Sequence, residues 1–182
     1  MTHLVTDQIE QGLDFVIQSP KNYGVIELIV RRPKVEEREV LELGELDIEV
    51  GLVGDCWKTR GSSRTTNGFG HPDMQLNLMN SRIIDLIAQD KERWKLAGDQ
   101  FFVDFDLSEE NIPPGTRIAI GTAIIERTEI PHLGCRKFID RFGKDAMKFV
   151  NSKIGKSLNL RGVNAKVIRP GIVKKGDRIN KI

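Results

Sequence analysis

With only two cysteines, Cys56 and Cys135, a disulfide scaffold is neither available nor needed, since a chain of 182 residues is long enough to bury a core without one. They are also too few for a structural zinc site, which takes about four Cys or His ligands at close spacing. Only three histidines are present, and His132 with Cys135 makes half of such a set. Both thiols are expected free in a reducing compartment. Charge of one sign is not in large excess. The 28 basic and 26 acidic residues leave +2, which does not imply a nucleic-acid partner. Long apolar runs are missing: stretches such as "GVIELIV" and "AIIE" fall far short of the roughly 18 residues that cross a bilayer. The N-terminus has no basic region followed by an apolar stretch and a cleavage site. The expectation is a cytoplasmic protein with no membrane or nucleic-acid partner. Nucleotide and hydrolase fingerprints are absent as well: there is no GxxxxGK[ST], no GxGxxG after a strand, no GxSxG and no HExxH.

What is present describes a globular domain. The hydrophobic fraction is 39%, charged residues make up 30% and aromatics 6%. Ile9, Leu13, Val16 and Ile17 stand at helical spacing and stop at Pro20, which predicts a short amphipathic helix appended to the core over residues 1–23. "GVIELIVRR" and "KVEEREVLEL", parted by Pro33, read as two strands, and "GLVGD" as a tight backbone turn. "KTRGSSRTTNGFGHPD" has no periodicity and reads as a surface loop of functional length. "MQLNLM" alternates as a strand, and Asn80 or Ser81 caps a following helix that carries Ile83, Ile84 and Ile87. "DQFFVDFDL" puts Phe101, Val103 and Phe105 on one face and Asp104 and Asp106 on the other, a half-buried strand. "RIAIG" and "AIIERTEI" are two further strands. After Cys135, Phe138, Phe142, Ala146, Phe149 and Val150 recur at helical spacing, with a break at Gly143. Short β-branched runs punctuated by Pro170-Gly171 and Gly176-Asp177 close the chain as hairpins. Seven to nine short strands with two or three helices predict a strand-rich α+β domain or a partly open β-barrel rather than a βαβ sheet.

The stretch "PHLGCRKFIDRF", residues 131–142, carries the most chemistry. A thiol reacts as the thiolate, and neighbouring Arg, Lys or protonated His, or the start of a helix, favours that form. Arg136 and Lys137 follow Cys135, His132 precedes it, and a helix begins just after it. A small apolar residue filling a strand-to-helix corner is the competing reading, and the sequence leaves both open. His132 is able to orient or deprotonate the thiol or to bind a ligand; a simple strand-end cap is the alternative. Cys56, beside Trp57, lacks the CxxC spacing of a redox pair with Cys135. Arg161, with Asn159 in "LNLRGVNA", fits an inward anion contact as well as a solvated arginine. Positive residues dominate residues 136–178, while residues 36–49 are acidic, so an anionic small ligand is expected near the C-terminal half.

Taken in order, these pieces resemble the MOSC domain, the module found at the C-terminus of molybdenum cofactor sulfurases and in free-standing bacterial proteins. The resemblance rests on "GLVGD", "MQLNLMNSRI", "AGDQFFVDFDLSEENIPPGTRIAIG", "PHLGCRKFIDRFG" and "LRGVNAKVIRPGIVKKGDRI", and covers about residues 24–178, within a domain taken as residues 24–182. It implies a barrel-like fold in which Cys135 carries sulfur as a persulfide or ligates molybdenum, tuned by His132. Arg136, Lys137, Asn159 and Arg161 are then expected to line the side that holds the phosphate of the molybdenum cofactor (molybdopterin). A sulfur donor or acceptor protein is the implied partner. Some MOSC-containing proteins reduce N-hydroxylated compounds with bound molybdenum cofactor, which gives an oxidoreductase alternative. A binding module for an anionic ligand or a partner protein, without chemistry, is a third. The family frequently has a basic residue or His after "GD", where this chain has Cys56. No pyridoxal-phosphate domain accompanies the module, so sulfur extraction from cysteine by this chain alone is not expected.

Overall fold

A computed structural model describes residues 2–182. The chain opens with two short helices, α1 (Thr6–Gln11) and α2 (Leu13–Ile17), and continues through β1 (Gly24–Arg31), β2 (Glu39–Leu41), β3 (Leu43–Asp47) and β4 (Gly51–Leu52). Helix α3 (Trp57–Arg60), β5 (Leu76–Asn80), α4 (Ser81–Ala88), β6 (Phe101–Asp104), β7 (Arg117–Ile120) and β8 (Ala123–Pro131) follow. Three helices, α5 (Arg136–Phe142), α6 (Lys144–Val150) and α7 (Lys153–Ser157), lead to β9 (Val163–Arg169), β10 (Gly171–Lys174) and β11 (Arg178–Lys181). Strands and helices are thus shorter and more numerous among the described residues than the periodicity predicts. None of these helices is long and apolar enough to cross a membrane.

Seven strands form a ring in the order β11-β7-β8-β9-β5-β6-β1, and β1 pairs back onto β11. The barrel expected to be partly open is therefore closed, by the short antiparallel register Gly24↔Ile179 and Val25↔Arg178. Only β5 and β6 run parallel within it; β2 extends the sheet beyond β1, and β10, β3 and β4 make a small separate sheet. Ile26 and Ile29 of β1 both point into the barrel although they are three residues apart. A register shift between Ile26 and Leu28 accounts for this: one extra residue flips the side-chain alternation.

The parallel pair is covered on both faces, as parallel strands require. Leu76, Leu78, Phe101 and Val103 fill the barrel, while Met79 and Phe102 pack outward against Ile83, Ile84, Ile87, Phe138, Phe142 and Phe149 of the helices. This is why "LNLMN" is buried at all five positions rather than alternating, and why Phe102 is as buried as its neighbours. Ile9 and Val16 of the N-terminal segment sit in this second core, while Ile17 is exposed. Of the two cap candidates, Asn80 is used, its Oδ1 accepting from the amides of Arg82 at 2.9 Å and Ile83 at 3.2 Å. Gly143, at φ 93°, makes the break between α5 and α6.

Gly24 lies where the ring closes. A Cβ there would stand 2.5 Å from the Asp104 carbonyl and 2.8 Å from Ile179 Cγ2. Gly24→Ala is expected to cost about 1–3 kcal/mol by overpacking, read as a lower denaturation midpoint at unchanged slope in urea unfolding.

Candidate functional site

At one end of the barrel a cleft of about 340 Å³ is walled by α5, by the segment from α3 through residue 71, and by the loop between β1 and β2. Its floor rests on two buried arginine–aspartate pairs. Arg32, just past β1, grips Asp55 with two nitrogens at 2.8 Å each, and also reaches the Gly98 carbonyl at 2.9 Å and Asn77 Oδ1 at 3.3 Å. Asp55 in turn accepts from the Trp57 amide at 2.9 Å, which starts α3. Arg161, just before β9, holds Asp99 at 2.7 Å and the Ala97 carbonyl at 3.0 Å, and lies over the Phe138 ring. Between the pairs, Asn77 donates to Asn164 Oδ1 at 2.6 Å, and Asn164 donates to the Ile130 carbonyl at 2.8 Å.

Asp99 also contacts His132, with Nε2 3.0 Å from Oδ1. Burial works to raise the Asp99 carboxyl, but Arg161 and His132 outweigh it and hold the group below the ordinary aspartate range. An ionised carboxylate only accepts, so the ring proton belongs on Nε2 and Nδ1 is left as an acceptor. His132 titrates below the ordinary histidine range because it is buried and lies near Arg161, with Asp99 opposing in part. The imidazole is therefore neutral at pH 7.

The walls are cationic: Arg38, Arg60, Lys137 and Arg141 join Arg32 and Arg161 around the cleft. Lys137 and Arg141 pair with Glu36, on the loop between β1 and β2. Arg38 and Arg60 have no carboxylate partner among the described residues. Both are pushed below the usual guanidinium range, first by burial and then by neighbouring arginines. Such a crowd of like charge favours an anion. Three lining side chains, Arg38, Trp57 and Arg161, also have buried N–H groups that meet no acceptor within the protein.

Cys135 stands on the rim. It is exposed, while Cys56 is buried and does not line the cleft; neither forms a disulfide. Cys135 occupies the N-cap position of α5, where its backbone carbonyl takes the first amides and its sulfur makes no cap bond. The turn before it is clamped by Asn151, which accepts from the Gly134 amide at 2.8 Å and donates to the Gly134 carbonyl at 3.0 Å.

Of the residues singled out in the sequence, His132, Cys135, Lys137 and Arg161 meet in this cleft. Arg136 does not: the helix turns its side chain outward, where it is almost fully exposed and paired with Asp140. Asn159 lies across the wall, in a second cavity of about 300 Å³ that also touches His132 and Arg161, and its amide donates to the Leu107 carbonyl. The sequence reading missed Arg32, Arg38, Arg60 and Arg141, and the aspartates beneath the floor. Both aspartates follow a glycine, but so does Asp177 in the turn between β10 and β11, so the Gly-Asp pair alone does not mark them. Arg60 comes one helical turn after Cys56, so the turn following "GD" does bring a cation to the cleft.

No family model matches the chain, and no curated protein matches it in sequence. Solved structures do. YiiM from Escherichia coli has a TM-score of 0.56 at 21% identity, over 87% of this chain and 69% of that one. YuaD from Bacillus subtilis has a TM-score of 0.56 at 15% identity, over 86% and 94%. YiiM from Geobacillus stearothermophilus has 0.55 at 13%, over 88% and 74%. At these identities the likeness is one of architecture, and the fold is MOSC-like.

Two outcomes test the floor. Asp99→Asn leaves Arg161 buried without its counter-charge and is expected to cost about 3–5 kcal/mol of stability. The depressed pKa of His132 means that the unfolded chain binds the proton more readily than the folded one. Its contribution is complete above about pH 6.5 and is lost as the pH falls toward its folded value. Thermal melts from pH 7 to pH 5 should drop for the wild type and less steeply for His132→Gln.

Proposed function

We propose that this chain binds the molybdenum cofactor, holding its phosphate in the cationic cleft and offering the Cys135 sulfur to the metal. The observation that carries the reading is an exposed thiol on the rim of a cleft whose walls keep two arginines, Arg38 and Arg60, without carboxylate partners. The donor set fits. No group of three or more His, Cys, Asp and Glu side chains among the described residues could hold a bare metal ion. A metal that arrives with its own sulfur ligands needs one protein thiolate, and thiolates suit molybdenum as a soft ligand. When bound, the cofactor would supply redox chemistry at that metal.

The residues divide the remaining work. Arg38, whose Nη1 also donates to the Glu37 carbonyl, and Arg60 have no carboxylate partner among the described residues and are the donors left for a phosphate. Arg32 and Arg161 stay fixed on their aspartates and present a rigid floor. His132, neutral, contributes a ring nitrogen that accepts a hydrogen bond rather than a further charge. Asn151 fixes the turn that delivers Cys135.

The exposure of Cys135 also favours a carrier reading. The thiolate attacks the outer sulfur of a persulfide donor; a bond forms between the two sulfurs as the donor's S–S bond breaks, and the donor leaves as its thiolate. The sulfur held on Cys135 is then available to an acceptor. Sulfur-donor or acceptor proteins are the partners this reading requires.

Protein made in a host that synthesises the cofactor is expected to retain molybdenum and pterin in stoichiometric amount, measured by elemental analysis and by fluorescence of the oxidised pterin. Cys135→Ser should lose the metal with little change in stability, since the residue is exposed. Arg38→Ala should weaken retention about ten- to a hundredfold, the worth of one charge-assisted hydrogen bond. Wild-type protein without molybdenum or pterin would overturn the cofactor reading. A wild type that takes no sulfur at Cys135 from a persulfide donor, by peptide mass mapping, would overturn the carrier reading.

A further inference from the structure

Three guanidinium groups converge on Gly98. Arg32 Nη1 bonds its carbonyl at 2.9 Å, and a Cβ on this residue would stand 3.4 Å from Arg38 Nη2 and 3.9 Å from Arg141 Nη1. Gly98 has φ 89°, a left-handed conformation that glycine adopts without strain. Opposite charges are needed to hold such a group of cations together, and one of them comes from Glu36. Its carboxylate takes Lys137 with one oxygen and Arg141 with the other. Glu36 is on the loop between β1 and β2, and Lys137 and Arg141 are on α5, so this one side chain ties two walls of the cleft together. Glu36 is exposed and is itself at φ 68°, a conformation that a side chain with a Cβ rarely takes. The contact therefore holds a strained residue in water, where ion pairs are weakest.

We infer that Glu36 is the cleft's own counter-anion, a latch that an incoming phosphate must displace from Lys137 and Arg141. The inference rests on the reading of the cleft as an anion site and adds what sets its selectivity. A ligand with one negative charge replaces Glu36 with an equivalent and gains little. A dianion, such as a phosphate monoester, brings a second charge to Arg38, which has no carboxylate of its own. Displacement also frees Glu36 to relax its backbone, and the loop of residues 32–38 is released from α5. The low titration range of Glu36, caused by the Lys137 hydrogen bond and the Arg141 charge, agrees with a carboxylate that serves these cations before any ligand does.

The test uses the full chain without metal or pterin, titrated with phenyl phosphate at pH 8, where it is a dianion, and with phenyl sulfate, its monoanionic analogue, by calorimetry. Wild type is expected to bind the phosphate and to bind the sulfate more weakly. Glu36→Gln removes the competitor and should tighten phenyl phosphate about tenfold, the scale of two exposed ion pairs. Glu37→Gln makes the same change of net charge next door, where the carboxylate pairs with Lys34 at 3.7 Å, and should change affinity less than about twofold. Trypsin cleavage after Lys34, which the ligand does not engage, should quicken in the wild type when phenyl phosphate is added, and be quick in Glu36→Gln without it. Equal gains in the two variants, no gain in Glu36→Gln, or cleavage indifferent to ligand would each overturn the latch. Because the probe carries no molybdenum, such a result leaves the role of Cys135 standing. No binding of phenyl phosphate by any of the proteins would overturn the latch together with the anion-binding half of the proposed function.

Discussion

Asp99 has a fully buried carboxylate, and around it three separate stretches of chain are joined: the approach to β6 through Asp99 itself, the end of β8 through His132, and the approach to β9 through Arg161. Burying an ionised carboxylate is costly unless charge and hydrogen bonds compensate it. Here Arg161 supplies the charge and His132 a further donor, so each group makes the burial of the others tolerable. Asp55 repeats the device with Arg32, and through the Trp57 amide it carries the constraint outward to α3. These two carboxylates hold their end of the barrel in one arrangement. A cleft floor built on matched pairs has no net charge to exchange and no reason to move.

The excess charge is on the walls. Arg38, Arg60, Lys137 and Arg141 come from three segments outside the barrel ring, and Glu36 pairs with two of them, Lys137 and Arg141. For the proposed anion, a fixed neutral floor and charged walls would divide the work between placement and attraction. The sulfur of Cys135 enters from the same side because the last residue of β8, Pro131, leads within four residues to the cap of α5. The Gly134 clamp by Asn151 keeps that short connection from swinging.

Much of this was legible in the chain, and the illegible part has a physical cause. Local signals are one-dimensional: the Asn80 cap, the Gly143 break and the periodicity of Phe138, Phe142 and Phe149 depend only on near neighbours in sequence. Cys135, His132, Lys137 and Arg161 were found because they stand in or near stretches with recognisable order. Arg38, Arg60 and Arg141 look like any solvated arginine until the fold brings three segments together, and no spacing predicts that meeting. The same limit hid the outward turn of Arg136. It adjoins Lys137, yet the helix rotates successive side chains by about 100° and only one of the two faces the cleft. The strand "LNLMN" reads as alternating because its polar members suggest solvent. Asn77 instead faces a buried network, and Asn80 caps a helix, so both are polar for internal partners.

One wall segment, the loop beyond α3, buries no large apolar side chain, unlike α5, which buries Phe138 and Phe142. The loop beyond α3 is secured by a few polar contacts, among them Thr65 Oγ1 to the Phe69 carbonyl at 2.6 Å and the Gly70 amide to the Lys58 carbonyl at 3.0 Å. Few apolar side chains of that loop are buried. Regions with little buried apolar surface open at small free-energy cost. The structure thus separates two demands that conflict when they fall on the same residues. Placement of the Cys135 sulfur is provided by α5 and the Gly134 clamp. Under the proposed function, adjustment to a bound anion falls to the loop of residues 61–71, which buries no large apolar side chain.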